Sequence, residues 1–199
     1  MKRVTLYSMI AVAMVFLASP ALAGGNANFV LGTRGLDKDF WTPVNGQFVI
    51  GTMVDFGKQK WPVHLETGIL VSVGAEEDFI GTSDVYGSVA EICFGVNKTW
   101  ELKGPARPFI GGGLSSVGAT YVIEVPGDDI DDNDSSGGAY FHGGVFWRLG
   151  RRFNIGIDGR ILVGTHITLF GEDGDADYAQ LGMVLGWGWP AGTKPASTP

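Results

Sequence analysis

The feature that most constrains this 199-residue chain is a two-residue alternation of apolar with small or polar side chains, sustained through segment after segment. It is clearest near the C-terminal end. There Ala179, Leu181, Met183, Leu185, Trp187 and Trp189 share one parity, and Tyr178, Gln180, Gly182, Val184, Gly186 and Gly188 the other. Between residues 154 and 168, Ile155, Ile157, Ile161, Val163 and Ile167 alternate with Asn154, Gly156, Asp158, Arg160, Gly164, His166 and Thr168. A period of two puts successive side chains on opposite faces of an extended strand. Segments near 26–36, 47–57, 61–74, 84–100, 107–125 and 138–149 repeat the pattern, so eight strands are expected. The 32 glycines also argue against long helices, because each interior Gly costs about 1 kcal/mol relative to Ala.

The connections alternate in length and charge. Long ones are expected near 37–46, 75–83, 126–137 and 171–177, and short ones near 58–60, 101–106 and 150–151. The long-loop end collects 15 acidic side chains, among them Asp37, Asp39, Glu76, Glu77, Asp84, Glu172, Asp173, Asp175 and Asp177. The short-turn end collects Lys58, Lys60, Lys98, Lys103, Arg107, Arg148, Arg151 and Arg152. Alternating long and short connections describe an antiparallel up-and-down meander with two distinct ends. A net charge of −7 excludes nucleic acid as a partner.

The two faces decide the solvent. One is rich in Ile, Val, Leu, Phe and Trp. The other mixes Gly, Ser, Thr and Asn with Arg34, Asp55, His64, Glu66, Glu91, Glu124, Asp158, Arg160 and His166, the candidate lumenal polar network. A soluble barrel buries its apolar face. Here the charged face suits the narrow interior of about eight strands, which side chains can fill. An apolar exterior around a polar interior is the pattern of a transmembrane β-barrel, whose closure leaves no backbone edge unpaired in lipid. Two groups of aromatics are expected to form interfacial girdles. Phe29, Phe56, Trp61, Trp100, Phe109, Trp147, Phe153, Trp187 and Trp189 lie toward the short turns; Phe40, Trp41, Phe79, Tyr86, Tyr121, Phe141 and Phe170 lie toward the long loops.

The first 23 residues read as an address. Met1-Lys2-Arg3 is basic, Val4 to Leu17 is apolar, and Ala21-Leu22-Ala23 fits a signal-peptide cleavage site. Residues 24–189 are expected to form the barrel and 190–199 a flexible periplasmic tail. With Cys93 alone, no internal disulfide is available.

Two further stretches carry a resemblance. Arg107-Pro-Phe-Ile-Gly-Gly-Gly113 resembles the glycine-rich strand starts of the OmpA/OmpX-like eight-stranded outer-membrane barrels of Gram-negative bacteria. Gln180 to Trp189 resembles their C-terminal assembly signal, with Gly182 as the signal glycine and Leu185, Trp187 and Trp189 as its apolar positions. The resemblance implies an all-β, eight-stranded antiparallel barrel in the cell outer membrane. Its implied partners are outer-membrane lipids, lipopolysaccharide and, during insertion, the barrel assembly machinery. No cofactor is implied.

Chemistry is sparse. His166-Ile-Thr168 faintly resembles the His-x-Ser of lipid A deacylases, with Thr in place of Ser and Leu169 where Asn is expected. His64 with Glu66, and His142 near Tyr140, complete no nucleophile–base set. Asp128, Asp129, Asp131, Asp132 and Asp134 offer hard oxygen ligands to a weakly held divalent cation. They lack the glycine and distal Glu of the EF-hand spacing. The expectation is a non-catalytic barrel with a structural or surface-interaction role. Its rivals are an envelope-lipid-modifying barrel enzyme and a narrow pore.

Overall fold

The computed structural model describes residues 24–58, 60–79, 83–125, 128–150 and 152–189. The expected signal peptide and C-terminal tail lie outside the described residues. Eight strands close an antiparallel barrel: β1 (Gly24–Leu36), β2 (Gly46–Gly57), β3 (His64–Phe79), β4 (Ser83–Thr99), β5 (Ala106–Val125), β6 (Asp128–Leu149), β7 (Phe153–Val163) and β10 (Tyr178–Trp189). Each pairs with its chain neighbour, and β10 returns to β1. The remaining elements lie at the long-loop end. They are a single helical turn, α1 (Lys38–Trp41), and a two-stranded hairpin, β8 (Ile167–Leu169) with β9 (Glu172–Gly174).

The stagger of the strands is fixed by their register. Residue partners followed once around the wall run Asn26, Asp55, Glu66, Gly95, Gly113, Tyr140, Leu162, Tyr178 and return to β1 at Leu36, ten residues further along. A stagger of that size over eight strands tilts them by about 40° to the barrel axis, within the usual range. All nine of these residues have the inward parity and form one of the helical rows that line the interior.

Parity sorts the side chains as alternation predicts. Phe48, Ile69, Ile110, Leu114 and Leu181 face outward with more than half their surface open, Leu114 at 72%. Val30, Val49, Leu70, Arg34, Glu66, Glu91 and Arg160 face inward and are buried. A wall of exposed aliphatic side chains around a buried charged interior inverts the soluble arrangement, so the barrel is of the membrane-spanning kind. At the short-turn end Trp61, Trp100, Trp147, Phe153 and Trp187 are exposed and form an aromatic ring. Phe109 is a correction to that ring: it points inward and stacks on Phe146, ring centroids 4.2 Å apart.

Three expectations at the other end are overturned. The stretch 126–137 is not a long loop, because β5 and β6 stay paired out to Val125 and Asp128. The strand expected over 154–168 breaks after Val163. Gly164 takes a left-handed φ of +81°, a conformation that costs an L side chain roughly 1–2 kcal/mol. The Asp177 carboxylate accepts from the backbone N–H groups of Gly164 and Thr165, each at 2.9 Å, and so replaces a strand neighbour there. Finally, the upper aromatic girdle is broken among the described residues: Tyr86 and Phe170 are exposed, but others leave it. Trp41 turns into the barrel mouth and is fully buried, Phe40 packs against the same core, and Tyr121 meets Phe170 edge-on. Phe141 stands on the apolar wall, paired with Ile161.

Candidate functional site: a charged lumen beneath a plugged mouth

The lumen is built in three tiers, each drawn from several strands. In the uppermost tier Glu91 of β4 is the hub. It pairs with Arg34 of β1 at 3.2 Å and with Arg160 of β7. It also accepts from Ser115 at 2.6 Å and from the Tyr178 hydroxyl. Arg34 further donates to Gln180 at 2.9 Å and to Ser72 at 3.3 Å, and its guanidinium lies 3.7 Å from the Tyr178 ring centroid. Arg160 lies similarly over Tyr140, at 4.0 Å. Two guanidiniums in a low-dielectric interior are tolerable only with such partners, and the shared carboxylate and the aromatic faces supply them.

The middle tier centres on Glu66, which accepts from Tyr140 at 2.9 Å and Asn97 at 3.1 Å. His142 stands between carboxylates, its Nε2 3.0 Å from Glu66 and its Nδ1 3.2 Å from Asp158. The glycines of β4 and β5 make room for these large groups. A Cβ on Gly111 would collide with the His142 ring, and one on Gly95 with the Tyr140 hydroxyl. In the lowest tier Asp55 accepts from Asn26 and faces His64 Nδ1, both at 3.1 Å.

Seven of the nine residues of the expected lumenal network therefore line or cap the lumen: Arg34, Asp55, His64, Glu66, Glu91, Asp158 and Arg160. Two do not. Glu124 is exposed on the outer parity of β5, whose inward residues are odd-numbered. His166 sits past the Gly164 break with its side chain 75% open. Tyr140, His142, Tyr178 and Gln180 complete the network, and each has the inward parity that could have flagged it. Cys93 is buried in the lumen, 3.7 Å from the Met53 sulfur.

The segment between β1 and β2 closes the mouth. Val44 is buried with Trp41, and Trp41 Nε1 donates to the Asp175 carbonyl at 2.8 Å. Tyr121 donates its hydroxyl to the Thr42 carbonyl at 3.3 Å. Burial pushes the nearby Asp175 carboxyl above its ordinary value. Alternation could not reveal this plug, since it has no strand period.

The acidic candidates for a cation do not converge. An extended strand sends Asp129 and Asp131 to one face of β6 and Asp132 and Asp134 to the other. Asp132 and Asp134 instead accept backbone N–H groups of Phe170 and Thr168, at 2.6 and 2.8 Å. The side chain of Asp128 lies outside the described residues. Among those residues no group of three or more His, Cys, Asp or Glu side chains could hold a metal ion. The Asp134 carboxyl is held below its ordinary value by the backbone N–H groups of Thr168 and Ser135. The deacylase-like pair also fails to assemble: Thr168 donates its hydroxyl proton to Asp173 at 2.9 Å rather than to His166.

At the opposite end the basic side chains secure turns. Arg107 donates to the Leu102 carbonyl at 3.1 Å and pairs with Glu101 at 2.6 Å, while Arg148 reaches Glu101 at 3.3 Å.

No protein-family model matches the chain, and none of the curated proteins does. Solved structures do. Ail, the attachment invasion locus protein of Yersinia pestis, superposes with a TM-score of 0.56 at 9% identity, covering 84% of this chain and 99% of that one. A major outer membrane protein from Thermus thermophilus gives 0.55 at 11%, with 84% and 99% covered. OprG from Pseudomonas aeruginosa gives 0.53 at 11%, with 85% and 95% covered. At such identities the likeness is one of architecture: this chain has the fold of the small eight-stranded outer-membrane β-barrels.

Proposed function

We propose that the protein is a non-catalytic barrel of the Gram-negative outer membrane that holds a structured acidic platform above the lipid, with a structural or surface-interaction role. The observation that carries this reading is the filled interior. The lumen is occupied by its own ion pairs and roofed by Trp41 and Val44. That leaves the long β5–β6 hairpin and the β8–β9 hairpin as the parts free to meet a partner. Lipid and lipopolysaccharide acyl chains surround the apolar wall. Gly182, Leu185, Trp187 and Trp189 lie on β10, the strand that closes the barrel against β1, where an assembly signal would be read. Cleavage after Ala23 would release the chain for insertion, with the tail beyond residue 189 on the periplasmic side. Ail has been solved with the heparin analogue sucrose octasulfate; the carboxylates on the outer end of this barrel disfavour so anionic a ligand.

Expression of the full chain in a Gram-negative host tests the reading. The protein should fractionate with the outer membrane, and the purified protein should neither hydrolyse lipid A nor conduct in planar bilayers. Recovery in the soluble periplasm would overturn the placement. Lipid hydrolysis, or stable single-channel currents, would overturn the role.

A further inference from the structure

The segment from Gly164 to Asp177 is tied down on two sides, and the ties on its outer side are unusual. His166, Thr168 and Phe170 stand opposite Ser136, Asp134 and Asp132, in the register that Val163 keeps with Ala139 where β7 pairs with β6. In β7 the even-numbered backbone groups turn toward β10, as the Gly188 N–H to Arg152 carbonyl bond between those strands shows, so past Gly164 the N–H groups of His166, Thr168 and Phe170 have turned over toward β6. Here they go to the Ser136 hydroxyl at 2.8 Å and to the carboxylates of Asp134 and Asp132. Three alternate side chains of β6 thus serve as the acceptors along this edge of the segment.

On its inner side the same segment holds the plug. The Asp175 carbonyl accepts the Trp41 indole N–H, and Ile167, Leu169 and Ala176 are buried in the core that contains Trp41 and Val44. A second path runs through rings, from Phe170 to Tyr121 at 6.2 Å and from Tyr121 to Trp41 at 6.1 Å. Within the segment Thr165 is clasped by Asp177, with its hydroxyl 2.7 Å from the carboxylate.

We propose that residues 164–177 form a strap, hinged at Gly164 and latched to β6 by Asp132, Asp134 and Ser136, whose opening unseats the Trp41 plug and uncovers the apolar mouth of the barrel. Latch and plug are then two ends of one cooperative unit. Because coupling free energies are reciprocal, loosening either end must loosen the other. Local openings of this kind are measured by hydrogen exchange.

The test uses the full-length protein in lipid nanodiscs, with exchange followed by NMR at the backbone amides of Thr168 and Phe170 and at the Trp41 indole N–H. Asp132→Ala with Asp134→Ala removes two charge-assisted acceptors, each of which should protect its amide by about tenfold or more. Both amides should exchange faster, and the Trp41 indole should accelerate with them, while the amide of Val49 in the barrel wall keeps its protection. In the reciprocal variant, Trp41→Ala, the Thr168 and Phe170 amides should also exchange faster. The double Asn variant keeps one acceptor oxygen per side chain and should move the same signals less, which supplies a milder test if the Ala variant does not fold. Faster amides with an unchanged indole would show that strap and plug open independently and would overturn the coupling. Unchanged amides would overturn the latch.

Discussion

Replacing Glu91 is the sharpest perturbation available in this barrel. Its carboxylate receives Arg34, Arg160, Ser115 and Tyr178, and the side chains of Glu91 and Arg34 are 0% exposed, that of Arg160 1%. Glu91→Ala leaves two guanidiniums facing one another across a dry interior. Arg34 keeps Gln180 and the Tyr178 ring, and Arg160 keeps the Tyr178 hydroxyl and the Tyr140 ring, so neither is wholly orphaned. Removing one member of a buried charged set costs about 3–5 kcal/mol, chiefly the penalty of the uncompensated charge. Glu91→Gln keeps an acceptor but not the charge, and should fall between wild type and the Ala variant. Glu91→Leu with Arg34→Met and Arg160→Met removes the charges together and should recover most of the loss, since an apolar replacement of a buried ionic set is often neutral or stabilising. Reversible urea unfolding in lipid vesicles, followed by tryptophan fluorescence, measures all three. A cost below about 1 kcal/mol for Glu91→Ala would refute the electrostatic account of the lumen, as would a triple variant less stable than the single one.

Three further outcomes are expected. Ile157→Arg places a charge on the apolar wall beside Met183 and should cost about 2–4 kcal/mol if that position lies near mid-membrane; refolding yield and unfolding midpoint in vesicles check it, and a neutral effect would mean the outward face is misassigned. The Asp134 carboxyl sits below its ordinary value, so its contribution to the latch is present above the ordinary carboxylate range and is lost only as pH falls through its depressed folded value. Protection of the Thr168 amide should therefore survive mild acid, and its loss near the ordinary range would contradict the hydrogen bond. A protease of broad specificity added to intact cells should cut at the β8–β9 turn, where Phe170 is exposed, and spare the paired strand from Asp129 to Ser136; resistance at that turn would place that end in the periplasm.

What the sequence determines here is local. A period of two is a property of neighbours, so the eight strands, the apolar wall with Ile157 and Leu181 on it, and the inward parity of Arg34, Glu66, Glu91 and Arg160 were all legible in the chain. What it left undetermined is the level at which inward residues meet, because that depends on pairing around the whole wall. Glu91 reaches Arg34 from 57 positions away, and Arg34 reaches Gln180 across 146, only because the ten-residue stagger brings β1, β4 and β10 to a common height. The outer end shows the same division. Asp132, Asp134 and Asp177 read as acidic charge on long connections, yet tertiary structure turns them into backbone acceptors that interrupt one strand and hold another. Trp41 read as an interfacial aromatic, yet the space left above the ion-paired lumen takes it in. A carboxylate or an indole acquires such a role from the groups that fold against it, and those groups lie far away in the chain.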